Sequence, residues 1–490
     1  MVFVGKNVQR YDSLKLEYFS LLKKIGIEKG RMRALIGLST WIHEQESINS
    51  GEDGESMHRE AFSVAIEEVS EVKTNAEVES ELKRLKNKWV SRPATETGKH
   101  VKRRLLDPPI REIRSFKHNG LTVVSLFSGA MGLDLGFLAA GFDIRVANDI
   151  DPWSRDTVRK NMSQLNFIDR DINKVSTKEL LEEASLSVND LDVLLGGPPC
   201  QPFSPAGKRM GLSDPRASPL KYFIKAINEL RPRAFVMEEV PGILSSRLKH
   251  FPISERGKRP PTEDEVGGSA FKVILQMLNS TGYKLVYGRL NAADFGSPQV
   301  RERVIFLGLR EGNPTLPEQT HSGRGIPGTL PWNSFWEATA DLLPEGDEFA
   351  GLSTTAKEYM RYIPPGGNWR ELPEEFIEKA MGGAYHAGGG KMGFYRRLAW
   401  DEPSPTVVTT PSQKGTMFVH PEYDRSISVR EYARIQGFPD DWLIQGSTGH
   451  KYRLIGNAVP VHLSYAVALH VRQLLEGKTI EPTKGIYAYE

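Results

Sequence analysis

From Leu121 onward the chain alternates short apolar runs with stretches of helical periodicity, and before that point it does not. Runs at 122–126, 144–147, 193–195, 234–237, 284–290 and 304–309 have the length and β-branched content of buried strands. Strands separated by helical stretches predict an α/β domain with a mostly parallel sheet over 119–310. After Arg310 the alternation stops. Residues 311–424 are rich in Gly, Pro and aromatics, with Gly388-Gly389-Gly390 and Pro403-Ser404-Pro405, and read as a smaller irregular domain. Helical periodicity at 429–435 and 463–475 returns the chain to the first domain over 425–476, leaving 477–490 as a tail. Upstream, Leu14, Tyr18, Leu21, Leu22 and Ile25 recur at helical spacing, and 61–85 repeats the pattern with more charge, so 1–98 reads as a helical domain. A basic linker follows at 99–118, with Arg111, Arg114 and Lys117 around Pro108-Pro109. The charged stretch 250–267 reads as a mobile surface insertion.

Composition narrows the function classes. One cysteine excludes an internal disulfide, a cysteine-cluster zinc site and an iron–sulfur centre. The sequence has neither a signal peptide nor a long apolar run, and a cytoplasmic protein without membrane contact is expected. A net charge of +2 announces no nucleic-acid binder, so any such surface must arise from local clustering.

The single cysteine, Cys200, lies in Leu194-Leu195-Gly196-Gly197-Pro198-Pro199-Cys200-Gln201-Pro202-Phe203-Ser204, at the end of an apolar strand. A loop at a strand's carboxyl end lifts a side chain toward whatever binds above the sheet, which suits a nucleophile better than a packing sulfur. The run from Ser125 to Gly136 closes the first strand with a turn of small residues that lets backbone approach a ligand. It lacks Gly-x-Gly-x-x-Gly, which weighs against NAD. Asp149 follows about twenty residues later, where a carboxylate accepts from ribose hydroxyls, and Asp171-Ile172 is placed to meet an adenine amino group. For each aspartate a helix N-cap is an equally open reading.

With these pieces on the page, the chain resembles the DNA (cytosine-5)-methyltransferase family. The matching motifs run in the family's order: Phe127-Ser128-Gly129, Gly197-Pro198-Pro199-Cys200-Gln201, Glu238-Glu239-Val240-Pro241-Gly242, Gln299-Val300-Arg301-Glu302-Arg303, Arg430-Glu431 with Gln436-Gly437-Phe438-Pro439, and Gly456-Asn457-Ala458-Val459-Pro460. The resemblance implies a Rossmann-like, S-adenosylmethionine-dependent methyltransferase domain, with the irregular segment as a target-recognition domain. It implies that Cys200 adds to carbon 6 of a cytosine flipped out of duplex DNA, making carbon 5 nucleophilic. Glu238 would assist at ring nitrogen 3, and Arg301 and Arg303 would shape a setting that favours the thiolate. Phe127, Ser128, Gly129, Asp149, Ile150, Asp171, Ile172 and Asn457 would hold S-adenosyl-L-methionine, and Gln201, Ser204, Gln299 and Thr409 would meet double-stranded DNA.

Departures from the family pattern are Glu239 where Asn is usual, Ser125 where an acid is common, Met131 for Gly and Asp149 for Glu. A restriction–modification role implies a cognate endonuclease acting on the same site. Two other functions fit less well: tRNA methylation, whose branch of the family carries a Cys-Phe-Thr tripeptide absent here, and non-catalytic DNA binding, which an intact catalytic set opposes. The recognised DNA sequence is not encoded in any motif.

Overall fold

In the computed structural model the described residues are 118–199, 218–339, 342, 348–386 and 392–478. The expected N-terminal helical domain, all of the linker but His118, and all of the tail but Gly477 and Lys478 lie outside them. So do Cys200, Gln201 and Ser204.

Seven strands form one sheet: β1 (Thr122–Leu126), β2 (Asp143–Asn148), β3 (Asn166–Ile168), β4 (Val193–Gly196), β5 (Ala234–Glu239), β6 (Lys284–Asn291) and β7 (Glu302–Leu309). Their spatial order is β3-β2-β1-β4-β5-β7-β6, parallel from β3 to β5, with β7 antiparallel to both neighbours. The six predicted strands are all present within two residues at each end. Sequence reading missed β3, because three residues, Asn-Phe-Ile, are too short to show a period. Connections run through α1 (Gly132–Ala139), α2 (Pro152–Asn161), α3 (Thr177–Ala184), α4 (Ser218–Leu230) and α5 (Ser269–Asn279).

The core explains the pattern. Leu220, Phe223, Ile224, Ile227 and Leu230 of α4 recur at three- and four-residue spacing and are all buried, packed in one cluster with Leu194, Phe235 and Met237. Each such side chain contributes about 1.5–3 kcal/mol by leaving water. Gly308 is required opposite Phe235, since a Cβ there would sit 2.0 Å from the ring. On the other face of the sheet, α1 lies against the C-terminal helix Val461–Leu475. Gly136 makes that approach close, because its Cβ would fall 2.3 Å from Ser464 Oγ. The stretch Thr448–Leu475 is long and apolar enough to cross a membrane, but 78% of its apolar window is buried inside the fold, so packing accounts for its composition.

The described chain divides into two compact units. One comprises the sheet with 405–409 and the segment from Gln436 onward, and the other 322–404 with 410–435. These bounds differ from the expected 311–424. Residues 311–321 stay with the sheet, and the helix Val429–Ile435 belongs to the smaller unit, not to the returning catalytic segment. The reason is side-chain pairing that periodicity cannot show. Glu431 accepts a two-pronged bond from Arg425 at 2.8 and 3.0 Å, Tyr432 meets the edge of Phe418, and Arg434 donates to Ala338 O at 3.0 Å. In the same unit Arg397 is buried and donates to the carbonyls of Met360, Ile363 and His420, fastening an irregular backbone with few helices or strands to share its hydrogen bonds.

The expected mobile insertion at 250–267 is instead held by its own charges. Arg259 forks onto Glu265 at 2.6 and 2.7 Å and also reaches Glu255, while Lys249 pairs with Asp264. The Arg259 bonds and the Thr262 backbone N–H draw the Glu265 carboxyl down to about 2.

Candidate active site

Phe127, Asp149, Asp171, Glu238 and the loop to Cys200 lie at or beyond the carboxyl ends of parallel strands, where an open α/β sheet leaves a crevice, and Arg303 joins them from the amino end of antiparallel β7. After β1 the turn adopts left-handed backbone at Phe127 (φ 60°), Gly129 (φ 54°) and Met131 (φ 67°). Two of these are not glycine, so the surrounding structure holds strain of about 1–3 kcal/mol each. Around the place a Gly129 Cβ would occupy, no atom of the described residues other than its chain neighbours lies within 4 Å.

Asp149 ties this turn to the end of β2. Its Oδ2 accepts from Gly129 N–H at 2.9 Å and its Oδ1 from Asp151 N–H at 2.8 Å. It caps no helix; that task falls to Asp151, which accepts from Trp153 N–H at the start of α2 and pairs with Arg453 at 2.7 Å. Burial raises the Asp149 carboxyl above its ordinary value against the pull of those backbone donors. Asp171 does act as a cap, Oδ1 accepting from Asn173 N–H at 3.0 Å ahead of a short 3₁₀ turn. Its Oδ2 takes no bond among the described residues. Ile150 is 66% exposed, an apolar plate beside Asp149, whereas Ile172 is buried in the core. Asn457 is exposed at the end of the helix Thr448–Asn457.

On the far side of β4, strand alternation separates the two glutamates of β5. Glu239 continues the face of Phe235 and Met237 and is 2% exposed, while Glu238 points to the opposite face. There Glu238 Oε1 meets Arg303 Nε at 2.6 Å, and Oε2 lies 2.9 Å from where a Gly197 Cβ would be. The loop that leads to Cys200 therefore passes against this carboxylate, and glycine at 197 makes the room.

The remaining expected residues do other work. Arg301 is buried and donates to Val407 O at 2.9 Å and Gly456 O at 2.7 Å, so its fork binds 405–409 and the C-terminal segment to the sheet. Gln299, expected at DNA, is 0% exposed. Its amide donates to Gln436 Oε1 at 2.8 Å and its oxygen accepts from Val407 N–H at 2.8 Å, so the side chain is committed to the interior. Thr409 lies just beyond, partly exposed. Sequence reading passed over Gly197 as a contact and Asp134 altogether. Asp134 sits in the first turn of α1, fully buried, and makes no side-chain hydrogen bond of ordinary geometry among the described residues.

The family model for C-5 cytosine-specific DNA methylase matches residues 121–473. The Type II methyltransferase M.PspPI of Psychrobacter sp. is 36% identical over 365 residues, covering 72% of this chain and 79% of that protein. M.Sau96I of Staphylococcus aureus, also a Type II methyltransferase, is 35% identical over 350 residues, covering 71% and 75%. Among solved structures, the methyltransferase EhMeth of Entamoeba histolytica covers 72% of this chain and 98% of its own at 16% identity, with a TM-score of 0.47.

Proposed function

Because this chain belongs to the C-5 cytosine-specific DNA methylase family and is an enzyme of the Type II DNA methyltransferase kind, we propose that it methylates a cytosine flipped from duplex DNA by way of a covalent Cys200 adduct, with S-adenosylmethionine as the methyl donor. The observation that carries the reading is the Glu238–Arg303 pair set against Gly197, on the approach to Cys200.

The donor fits the residues present. Among the described residues the turn from Phe127 to Met131 is open at Gly129, Asp149 stands beside it bonded to backbone N–H groups, Ile150 offers an apolar surface to a purine, and Asp171 keeps one oxygen for an amino group. Phe127, Ser128, Gly129, Asp149, Ile150, Asp171 and Asn457 would hold it, with Ile172 contributing its backbone only, since its side chain is buried in the core. Bound there, the donor supplies an electrophilic methyl group.

The chain's own residues do the rest. The Cys200 thiolate forms a bond to carbon 6, the carbon 5–carbon 6 double bond opens, and its electrons make carbon 5 nucleophilic. Glu238, aimed by Arg303, would relay a proton from water to ring nitrogen 3 as negative charge grows there, assistance worth about 10²–10⁴-fold. Water then takes the carbon-5 proton, the electrons of that carbon–hydrogen bond re-form the carbon 5–carbon 6 double bond, and the carbon 6–sulfur bond breaks to return Cys200 as the thiolate. Arg301 serves this scheme indirectly, by holding the backbone that presents Thr409 and Asn457. Gln201, Ser204 and Thr409 would meet the DNA, and a cognate endonuclease would read the same sequence.

Fluorine at carbon 5 cannot leave as a proton does, so duplex DNA with 5-fluorocytosine at the target should trap an adduct that survives a denaturing gel. Cys200→Ala should abolish it. An adduct of unchanged yield in that variant, or one formed on tRNA and not on DNA, would overturn the reading.

A further inference from the structure

Three carboxyls surround the turn after β1, and their surroundings differ. Asp151 is paired with Arg453 and caps α2. Asp149 takes two backbone N–H groups. Asp134 is 0% exposed and has neither a cation nor a hydrogen bond of ordinary geometry from any described residue. Buried polar groups almost always have partners, so one without calls for a reason.

The elements around Asp134 show which groups face it. From β1 the Ser125 hydroxyl lies close enough to favour the ionised form, while itself receiving a bond from Ser128 Oγ at 3.0 Å. From the end of β2 the Asp149 carboxylate opposes ionisation. The C-terminal helix packs against the other side of α1, where Gly132 and Gly136 meet Val459, Ser464 and Tyr465, and its Arg472 donates to Ala140 O at 2.9 Å, at the far end of α1 from Asp134. Burial thus dominates, and it pushes the Asp134 carboxyl up to about 7.

We propose that Asp134 supplies the negative charge by which the pocket distinguishes its cationic cofactor from the uncharged demethylated product. The proposal rests on the S-adenosylmethionine reading above. S-adenosylmethionine carries a sulfonium that S-adenosylhomocysteine lacks, and the two are otherwise alike, so as hydrogen-bond partners Asp149, the Gly129 turn and Asp171 serve both alike, and whatever charge contribution Asp149 makes persists in Asp134→Asn and is subtracted by that variant. A buried charge acts through low dielectric over several ångströms, so Asp134 can respond to the sulfonium from beneath the turn without touching it.

The sign follows from linkage. A positive charge brought near favours the ionised carboxyl, so binding of the sulfonium form lowers the proton affinity of Asp134 and releases protons, while the thioether does not. If the carboxyl falls by about one unit in the cationic complex, preference for S-adenosylmethionine over S-adenosylhomocysteine rises roughly fivefold between pH 5 and pH 7, and about half a proton is released near pH 6.5.

Calorimetry on the full chain, with each ligand titrated in two buffers of different ionisation enthalpy, reads both quantities without turnover. The wild-type protein is expected to release protons with S-adenosylmethionine only, and Asp134→Asn to lose both the release and the pH-dependent preference. Adding Ser125→Asp to Asp134→Ser returns a carboxyl to the same spot from the strand and should restore part of each. Should Asp134→Asn fail to fold, the double variant of Ser125→Asp and Asp134→Ser takes its place, because a moved carboxyl changes the proton count while the share from Asp149 stays the same. Equal proton release with the two ligands, or an unchanged pH dependence in a folded Asp134→Asn, would overturn the proposal. Failure of either ligand to bind would instead overturn the cofactor reading on which it stands.

Discussion

At the scale of single residues, the double glutamate of β5 shows what one position can decide. The sequence offers Glu238 and Glu239 side by side, and nothing in their identity separates them. The pleat does, turning Glu239 into the interior and Glu238 toward Arg303 and Gly197. Glu238→Gln is therefore expected to lower the single-turnover methylation rate by about 10²–10³-fold with little change in thermal midpoint, since size is kept and only the charge-assisted contact is lost. Glu239→Gln should show the reverse, a shifted midpoint and a nearly normal rate. Equal rate losses would mean that the pleat has been read in the wrong register. Helix packing likewise hides Asp134 from sequence inspection, because an aspartate in a helix's first turn ordinarily reads as a dipole-favoured surface residue.

At the scale of elements, the fork of Arg301 joins segments more than a hundred residues apart. Its two bonds satisfy the carbonyls of Val407 and Gly456, and Gln299 satisfies the N–H of Val407 and reaches Gln436. Lysine presents a point charge and cannot span both carbonyls. Arg301→Lys is thus expected to leave at least one buried carbonyl unpaired and to cost about 1–3 kcal/mol in denaturant unfolding, a loss that should appear equally in protein without DNA. A variant of normal stability but slowed methylation would place Arg301 at the chemistry after all. Strands were legible here because a buried parallel strand must be a continuous apolar run. β3, only three residues long, was not, and neither was the helix Thr448–Asn457, whose apolar face is marked by little more than Tyr452, Leu454 and Ile455.

At the scale of the molecule, the two units set where a transplant can be cut. Exchanging 322–404 together with 410–435 for the same segments of a related enzyme keeps Arg425 with Glu431, Phe418 with Tyr432 and Ala338 with Arg434. That chimera is expected to fold with a thermal midpoint near the parent's and, on the expectation that this unit is the target-recognition domain, to methylate the donor's sequence, because phosphate contacts position DNA while base-edge contacts choose the sequence. Cutting at 311 and 424 instead separates Phe418 and His420 from the helix Val429–Ile435 and should lower the midpoint by several degrees in a melting experiment. A well-folded chimera of the first kind that retained the parent's target would move recognition out of the smaller unit.

The sequence by itself determined the strand-and-helix alternation, the strand-end positions of Asp149 and Glu238 and of the loop to Cys200, and the family. All of these follow from apolar periodicity and from motifs short enough to be contiguous. Only the tertiary structure decided which glutamate faces Arg303, that Gln299 and Arg301 are spent on distant segments, that the helix Val429–Ile435 belongs with the smaller unit, and that Asp134 is buried with no hydrogen bond of ordinary geometry among the described residues. Those outcomes depend on pairings between residues far apart in the chain and on the dielectric that surrounds them. A side chain's hydrogen-bond partner and its exposure are properties of the packed neighbourhood, not of the residue.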